Sequence, residues 1–178
     1  MRRYAYGVTI DLEKIWNEDK ELSVEPDWKR RAQDEFVRIV CPLDAGGITY
    51  EGLNFTASAH IYMPDRSVTF QVEFHPPRRD QRGGPISRIE WRPRSPHNNK
   101  GVGPPEHRHK PIVGCHVHPF GLNWNHSASQ VRKGNLPIAI PINPGFGSYE
   151  EALEYVEKEF RINGVRSLPP PPWTRKLI

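Results

Sequence analysis

Six of the chain's eight histidines crowd into one stretch: His97, His107, His109, His116, His118 and His126. Four of them form two H-x-H pairs, His107-Arg108-His109 and His116-Val117-His118, joined by Lys110–Cys115. On a strand, residues two apart point to the same face, so a tight hairpin gathers four imidazoles on one surface. Neutral imidazole is the commonest metal ligand and a proton carrier near neutral pH. With metal, the two pairs His107, His109, His116 and His118 are the candidate ligands for a divalent ion such as zinc, three of them with one open position making a catalytic site, and Glu106 or His97 is close in sequence. Without metal, His97, His109, His116 and His118 are the acid–base groups of a phosphoryl transfer. Cations then hold the phosphate and its developing charge: Arg92, Arg108 and Lys110 first, with Arg94 and Lys100 nearby. Asn98, Asn99 and Asn123 are available to bind the substrate or to orient the imidazoles. A third reading makes the histidines packing groups of a protein-interaction module, binding through the basic loop Arg78–Arg82 or the proline-rich tail.

The elements that must position these residues are legible from periodicity. Leu53, Phe55, Ala57, Ala59 and Ile61 alternate with polar residues. After Met63–Ser67 the alternation resumes as Val68, Phe70, Val72 and Phe74, which predicts an antiparallel hairpin with one wet face carrying His60 and His75. Phe36–Cys41 reads as a strand stopped by Pro42. Ser87, Ile89 and Trp91 mark another, with Arg88 and Glu90 on its opposite side. Ile112–His118 is the next, with Val113, Cys115 and Val117 facing the core. Leu136–Ile142 is a further strand, and Pro137 and Pro141 place it at a sheet edge. Ser148 caps a helix and Glu151 completes a capping box; Tyr149, Ala152, Leu153, Val156 and Phe160 follow helical spacing, and Asn163-Gly164 supplies the stop. Shorter helices are expected at Leu12–Trp16 and Asp27–Glu35. The tail Leu168–Trp173 reads as extended polyproline, docking through Trp173.

Composition narrows the class. The chain of 178 residues has 25 Lys+Arg against 21 Asp+Glu, a formal charge of +4. This mildly basic balance suits RNA or an acidic protein partner. Two cysteines, Cys41 and Cys115, are too few for a disulfide framework. No secretory h-region and no membrane-length apolar run are present, so no membrane partner and a cytoplasmic setting are expected.

Three short motifs bear on known families. His116-Val117-His118-Pro119, with Ser127 and Ser129, resembles the metal site of deubiquitinase-type metalloproteases, but the aspartate that this pattern requires after the serine is missing. From Phe55 to Trp124 the order of hairpin, Pro76, Pro85-Ile86, Trp91, Pro96-His97-Asn98 and Gly114-Cys115 resembles a ubiquitin-conjugating (E2) domain. That resemblance implies Cys115 as a thioester-forming nucleophile with Asn98 or Asn99 at the oxyanion. The family's His-Pro-Asn order stands here as Pro-His-Asn. Pro96–Gly101, Gly114–His118, Asn135–Ala139 and Ser148–Phe160 together resemble a group of small bacterial proteins with a Pro-His-x-Asn turn and an H-x-H strand. This implies a bacterial mobile-element or defence context.

The resulting expectation is an α+β fold, a single domain with an antiparallel sheet of about five or six strands and the C-terminal helix on one face. Its parts are a charged, partly helical segment 1–35, a core 36–164 and a proline-rich tail 165–178. The functional expectation is a small histidine-dependent hydrolase or nuclease acting on a phosphodiester, RNA first, with metal assistance open. An E2-like scaffold using Cys115 and a non-catalytic interaction module are the alternatives.

Overall fold

Strict alternation of apolar and polar residues drives the centre of the molecule into a meander of four long strands. They appear in a computed structural model describing residues 3–5, 10–30, 34–77 and 82–174. In chain order the elements are β1 (Arg3–Ala5), α1 (Leu12–Asn17), β2 (Lys20–Leu22), β3 (Lys29–Arg30), β4 (Phe36–Ala45), β5 (Ile48–His60), β6 (Val68–Phe74) and β7 (Gly84–Trp91). There follow β8 (His116–His118), α2 (Phe120–Val131), β9 (Ile140–Pro141), α3 (Tyr149–Phe160) and β10 (Ile162–Asn163). All strands join one sheet in the order β10-β2-β4-β5-β6-β7-β8-β9, with β1 beside β5 and β3 beside β4. The α+β class, the mostly antiparallel sheet and the C-terminal helix are as expected. The sheet has ten strands among the described residues rather than five or six, because several two- and three-residue pieces pair at its margins.

One face of the sheet is the core. Val37, Ile39, Leu53, Phe55, Phe70, Val72, Ile89, Trp91 and Val117 are buried there with Leu153, Val156 and Phe160 of α3. The three helices meet on this side: Trp16 of α1 stacks on Phe120 of α2 with ring centres 5.0 Å apart and meets Phe160 of α3 edge-on at 6.0 Å. Burying such aromatic rings is the largest apolar gain available per residue. The Ser148 hydroxyl accepts from Glu151 N at 3.2 Å, as the expected cap requires, while the Glu151 carboxylate accepts from Gly147 N at 2.7 Å, one residue before the cap position of the box. The helix stops at Phe160, earlier than Asn163-Gly164, with Arg161 in the left-handed region; Ile162 and Asn163 then pair with β2.

Other elements depart from the alternation-based reading for local reasons. The described part of the expected Asp27–Glu35 helix is not helical: Lys29 and Arg30 pair with β4 instead, and residues 31–33 lie outside the described residues. Pro42 does not end β4, which passes it through a register shift at Pro42/Asp44. Ile112–Cys115 does not join the ladder apart from an isolated bridge between Ile112 and His97, and Val113 is 76% exposed rather than core. His60 is buried, with Nε2 3.1 Å from a Glu35 carboxylate oxygen and Nδ1 accepting from Tyr62 N. The helix α2 has no counterpart in the sequence reading; a break at Ser127 interrupts its periodicity.

Buried Lys20 closes the open end of α1. Its ammonium donates to the carbonyls of Ile15, Trp16 and Glu18 at 3.3, 2.9 and 2.7 Å. Carbonyls at the C-terminus of a six-residue helix lack intrahelical partners, and of these three Ile15 O also accepts from Glu18 N. The tail docks as expected: Pro169 O accepts from Trp28 Nε1 at 2.8 Å, and Trp173 lies edge-on to Tyr149 at 6.0 Å. No helix of the described residues is long and apolar enough to cross a membrane.

Candidate metal centre

The β7–β8 register places Glu90 opposite His116 and Arg88 opposite His118. All four lie on the sheet face away from the helices, since the intervening Ile89 and Val117 are core. The long excursion between β7 and β8 returns through the His97–Ile112 bridge and lays His97 over this face. Its ring centre lies 4.6 Å from that of His118 and 5.7 Å from that of His116, while the latter two are 5.3 Å apart. One ring nitrogen from each of the three comes within 4.8 Å of the others, close enough to share one metal ion.

The remaining nitrogens are committed to backbone. His116 Nδ1 donates to Gly114 O and His118 Nδ1 to Leu136 O, each at 2.9 Å, and His97 Nε2 donates to Pro137 O at 3.2 Å. A carbonyl accepts only, so each bonded nitrogen carries the proton and the opposite one is a bare lone pair. The lone pairs belong to His97 Nδ1, His116 Nε2 and His118 Nε2. His116 and His118 are each 1% exposed, and both Nε2 atoms are buried without a hydrogen-bond partner. A buried polar atom left this way costs about 1–3 kcal/mol unless something occupies it. Backbone carbonyls fixing the tautomer of a ligating histidine are the usual outer support of a metal site.

Two asparagines hold that support in place. Asn99 donates to Ala139 O at 3.0 Å and accepts from Ala139 N at 2.9 Å. Asn123 donates to Ile138 O at 2.9 Å and accepts from Ile138 N at 3.0 Å. The segment supplying the Leu136 and Pro137 carbonyls is therefore pinned from both sides. One pin is two residues beyond His97 in the chain and the other five beyond His118. This segment was expected to be a strand; only Ile140–Pro141 enters the ladder, and the backbone polar groups before it are spent on side chains.

The electrostatics favour the neutral form of His116 and His118. Burial is the main force pulling the His118 pKa down, to about 3, with Arg88 and the other two histidines adding to it. Burial also lowers that of His116, opposed by Gly114 O and Glu90. Glu90 is the nearest carboxylate, its oxygen 3.7 Å from His116 Nε2. Arg88 donates through Nε to Gln71 Oε1 at 3.0 Å and lies 3.5 Å from Glu90, so the guanidinium is held on the same face.

The structure groups the histidines differently from their order in the chain. His107, half-buried, and His109, exposed, sit in the turns that follow Pro104 and are not part of the cluster, in which His97 takes the third place. Pro104-Pro105 opens a 3-10 turn there, which removes the strand periodicity that would have aligned His107 with His109. Arg108 and Lys110 are exposed in the same loop, Arg108 Nε donating to Gly103 O. Arg92 lies elsewhere, over the Trp91 ring and donating to Gly147 O. Asn99 and Asn123 are 0% and 1% exposed and bind backbone rather than facing a substrate, and Asn98 accepts from Lys100 N. Cys115 is 8% exposed on the core side, its sulfur packed against Gly145. His126 is exposed on α2 and Arg78–Gln81, most of the basic loop, lie outside the described residues. Glu90 and Arg88 were missed as site residues, although their place opposite Ile89 on an alternating strand was the available signal.

No protein-family model, no curated protein and no solved structure significantly matches the chain.

Proposed function

We propose that this chain is a histidine-dependent hydrolase that holds a divalent transition metal, zinc foremost, through His97 Nδ1, His116 Nε2 and His118 Nε2, and that it cleaves a phosphodiester. The observation that carries the reading is the pair of buried, unpaired Nε2 atoms facing a third imidazole while every opposite nitrogen is tied to a carbonyl. Three nitrogen ligands with a free position is the ligand count of catalytic rather than structural zinc. Bound there, the ion would supply Lewis acidity and a water deprotonated near neutral pH.

The chain's own groups would do the rest. Glu90, beside His116, accepts the proton that the attacking water loses and returns it to the leaving oxygen. The water oxygen bonds to phosphorus as the ester P–O bond breaks, so atoms and charge balance. Arg88 is the cation placed to hold a non-bridging phosphate oxygen. His118 is a poor general acid on its own, because a general acid needs a pKa near the working pH and burial holds that of His118 far below it. The test is hydrolysis of bis(p-nitrophenyl) phosphate and of a labelled RNA by zinc-loaded protein. Alanine at His116 and His118 abolishes turnover if the reading is right; cleavage that persists unchanged in those folded variants overturns it.

A further inference from the structure

The face that carries the metal centre continues across the sheet, and no described helix covers it. Cross-strand registers align His116 with Glu90, Glu90 with Thr69, Thr69 with Ser58, Ser58 with Arg38, and Arg38 with Lys29. Directly paired residues share a face, so this is one polar row. From β8 to β4 it spans four inter-strand spacings, roughly 19 Å.

The far end of the row is built differently from its middle. Lys29, Asp34, Phe36, Arg38 and Val40 line a concavity of about 390 Å³. Phe36 and Val40 are 39% and 58% exposed, apolar residues on an otherwise polar face. The Phe36 ring stands edge-to-face on His60 at 5.1 Å, and His60 is itself anchored by Glu35 and Tyr62 N, so the exposed ring is held in place. Asp34 spends a carboxylate oxygen on Phe36 N at 2.9 Å. Among the described residues the Lys29 ammonium and the Arg38 guanidinium make neither an ion pair nor a hydrogen bond. A fixed aromatic face flanked by two uncommitted cations matches a nucleobase between phosphates.

We infer that the sheet face from β3 to β7 is a track for single-stranded nucleic acid, which stacks a base on Phe36, sets phosphates on Lys29 and Arg38, and leads along Ser58 and Thr69 to half-buried Glu90, at the edge of the buried histidine centre. The inference names the polymer for the hydrolase reading and rests on it for the track's end point. The length of the row matches the sites of four or more nucleotides that single-strand binders use. A duplex is excluded by the same geometry, because its bases are stacked inward and cannot reach a ring lying in a sheet face.

The test separates binding from catalysis. Fluorescence anisotropy with a labelled 12-nucleotide oligo(U) RNA is measured in EDTA, so that metal plays no part. Phe36→Ala weakens binding about tenfold and Phe36→Trp restores it, in line with the worth of one stacked base. Arg38→Glu also weakens binding and lowers the salt dependence by about one phosphate contact. A loss of hydrolysis with this binding pattern intact counts against the catalytic reading alone. Affinity that is equal in wild type, Phe36→Ala and Arg38→Glu, equal affinity for a duplex, or tighter binding of poly-glutamate than of RNA overturns the track.

Discussion

Replacing Asn99 by aspartate tests whether the asparagine clamps serve the histidines. The change is isosteric: one carboxyl oxygen still accepts from Ala139 N, but the donor to Ala139 O is gone. An oxygen then faces a carbonyl oxygen at a site with no solvent access. Leaving one buried acceptor unpaired costs about 1–3 kcal/mol, a lower bound here because the carboxylate also brings a buried charge. For a chain of this size that is a fall in Tm of about 2–12 °C. The same loss frees the segment bearing the Leu136 and Pro137 carbonyls, which orient His118 and His97. Loss of such outer support typically weakens metal binding on the order of 10–100-fold. The assay is zinc competition against a chromophoric chelator, beside thermal unfolding of the metal-free protein, with Asn98→Asp as control. Asn98 only accepts, from Lys100 N, and aspartate keeps that bond, so the control changes neither reading. The cobalt(II)-loaded variant should also shift its visible absorption bands, because the imidazoles no longer hold one geometry. A lower Tm with unchanged zinc affinity and an unchanged cobalt spectrum would show that the clamp stabilises the fold and does not position the ligands.

Further outcomes follow from the same geometry. Glu90→Gln keeps zinc bound and lowers turnover by about 10²–10⁴, the usual contribution of a general base; loss of the metal in that variant would make Glu90 a ligand instead. Burial, with Arg161 adding, holds the Lys20 ammonium down to about 8, against about 10.4 in an unfolded chain. Between those values the unfolded state binds more protons, so stability rises with pH across that window. Urea titrations at pH 7.5 and 10 should show that gain in wild type and its absence in Lys20→Met; equal gains in both refute the assignment. Zinc at a thousand times its Kd should stabilise the fold by about 4 kcal/mol, raising Tm by about 8–16 °C, and EDTA should reverse it.

The legible parts of the fold are those with local signals. The β5–β6 hairpin follows from unbroken alternation, and α3 from Ser148, Glu151 and an apolar stripe. The H-x-H pair at His116 and His118 was visible because it lies on a true strand. The pair at His107 and His109 looked the same on paper, yet the prolines before it fold the chain into turns. His97 could not be assigned to the group from spacing alone, because its place depends on an isolated bridge fifteen residues away in the chain, at Ile112. Asn99 and Asn123 carried no sign of their role, which exists only once residues 136–139 pass between them. Arg92, chosen for its position among cations, is drawn to Trp91 and Gly147 on the other side of the sheet.

The most direct test of the metal centre is elemental analysis of untagged protein, purified without chelator and desalted, alongside His97→Ala and His118→Ala. The wild type should carry one equivalent of a transition metal per chain, and both variants should lose it. A wild-type protein that carries no metal, even after incubation with zinc, and melts at the same temperature with and without it, would rule out a metal centre at the three histidines.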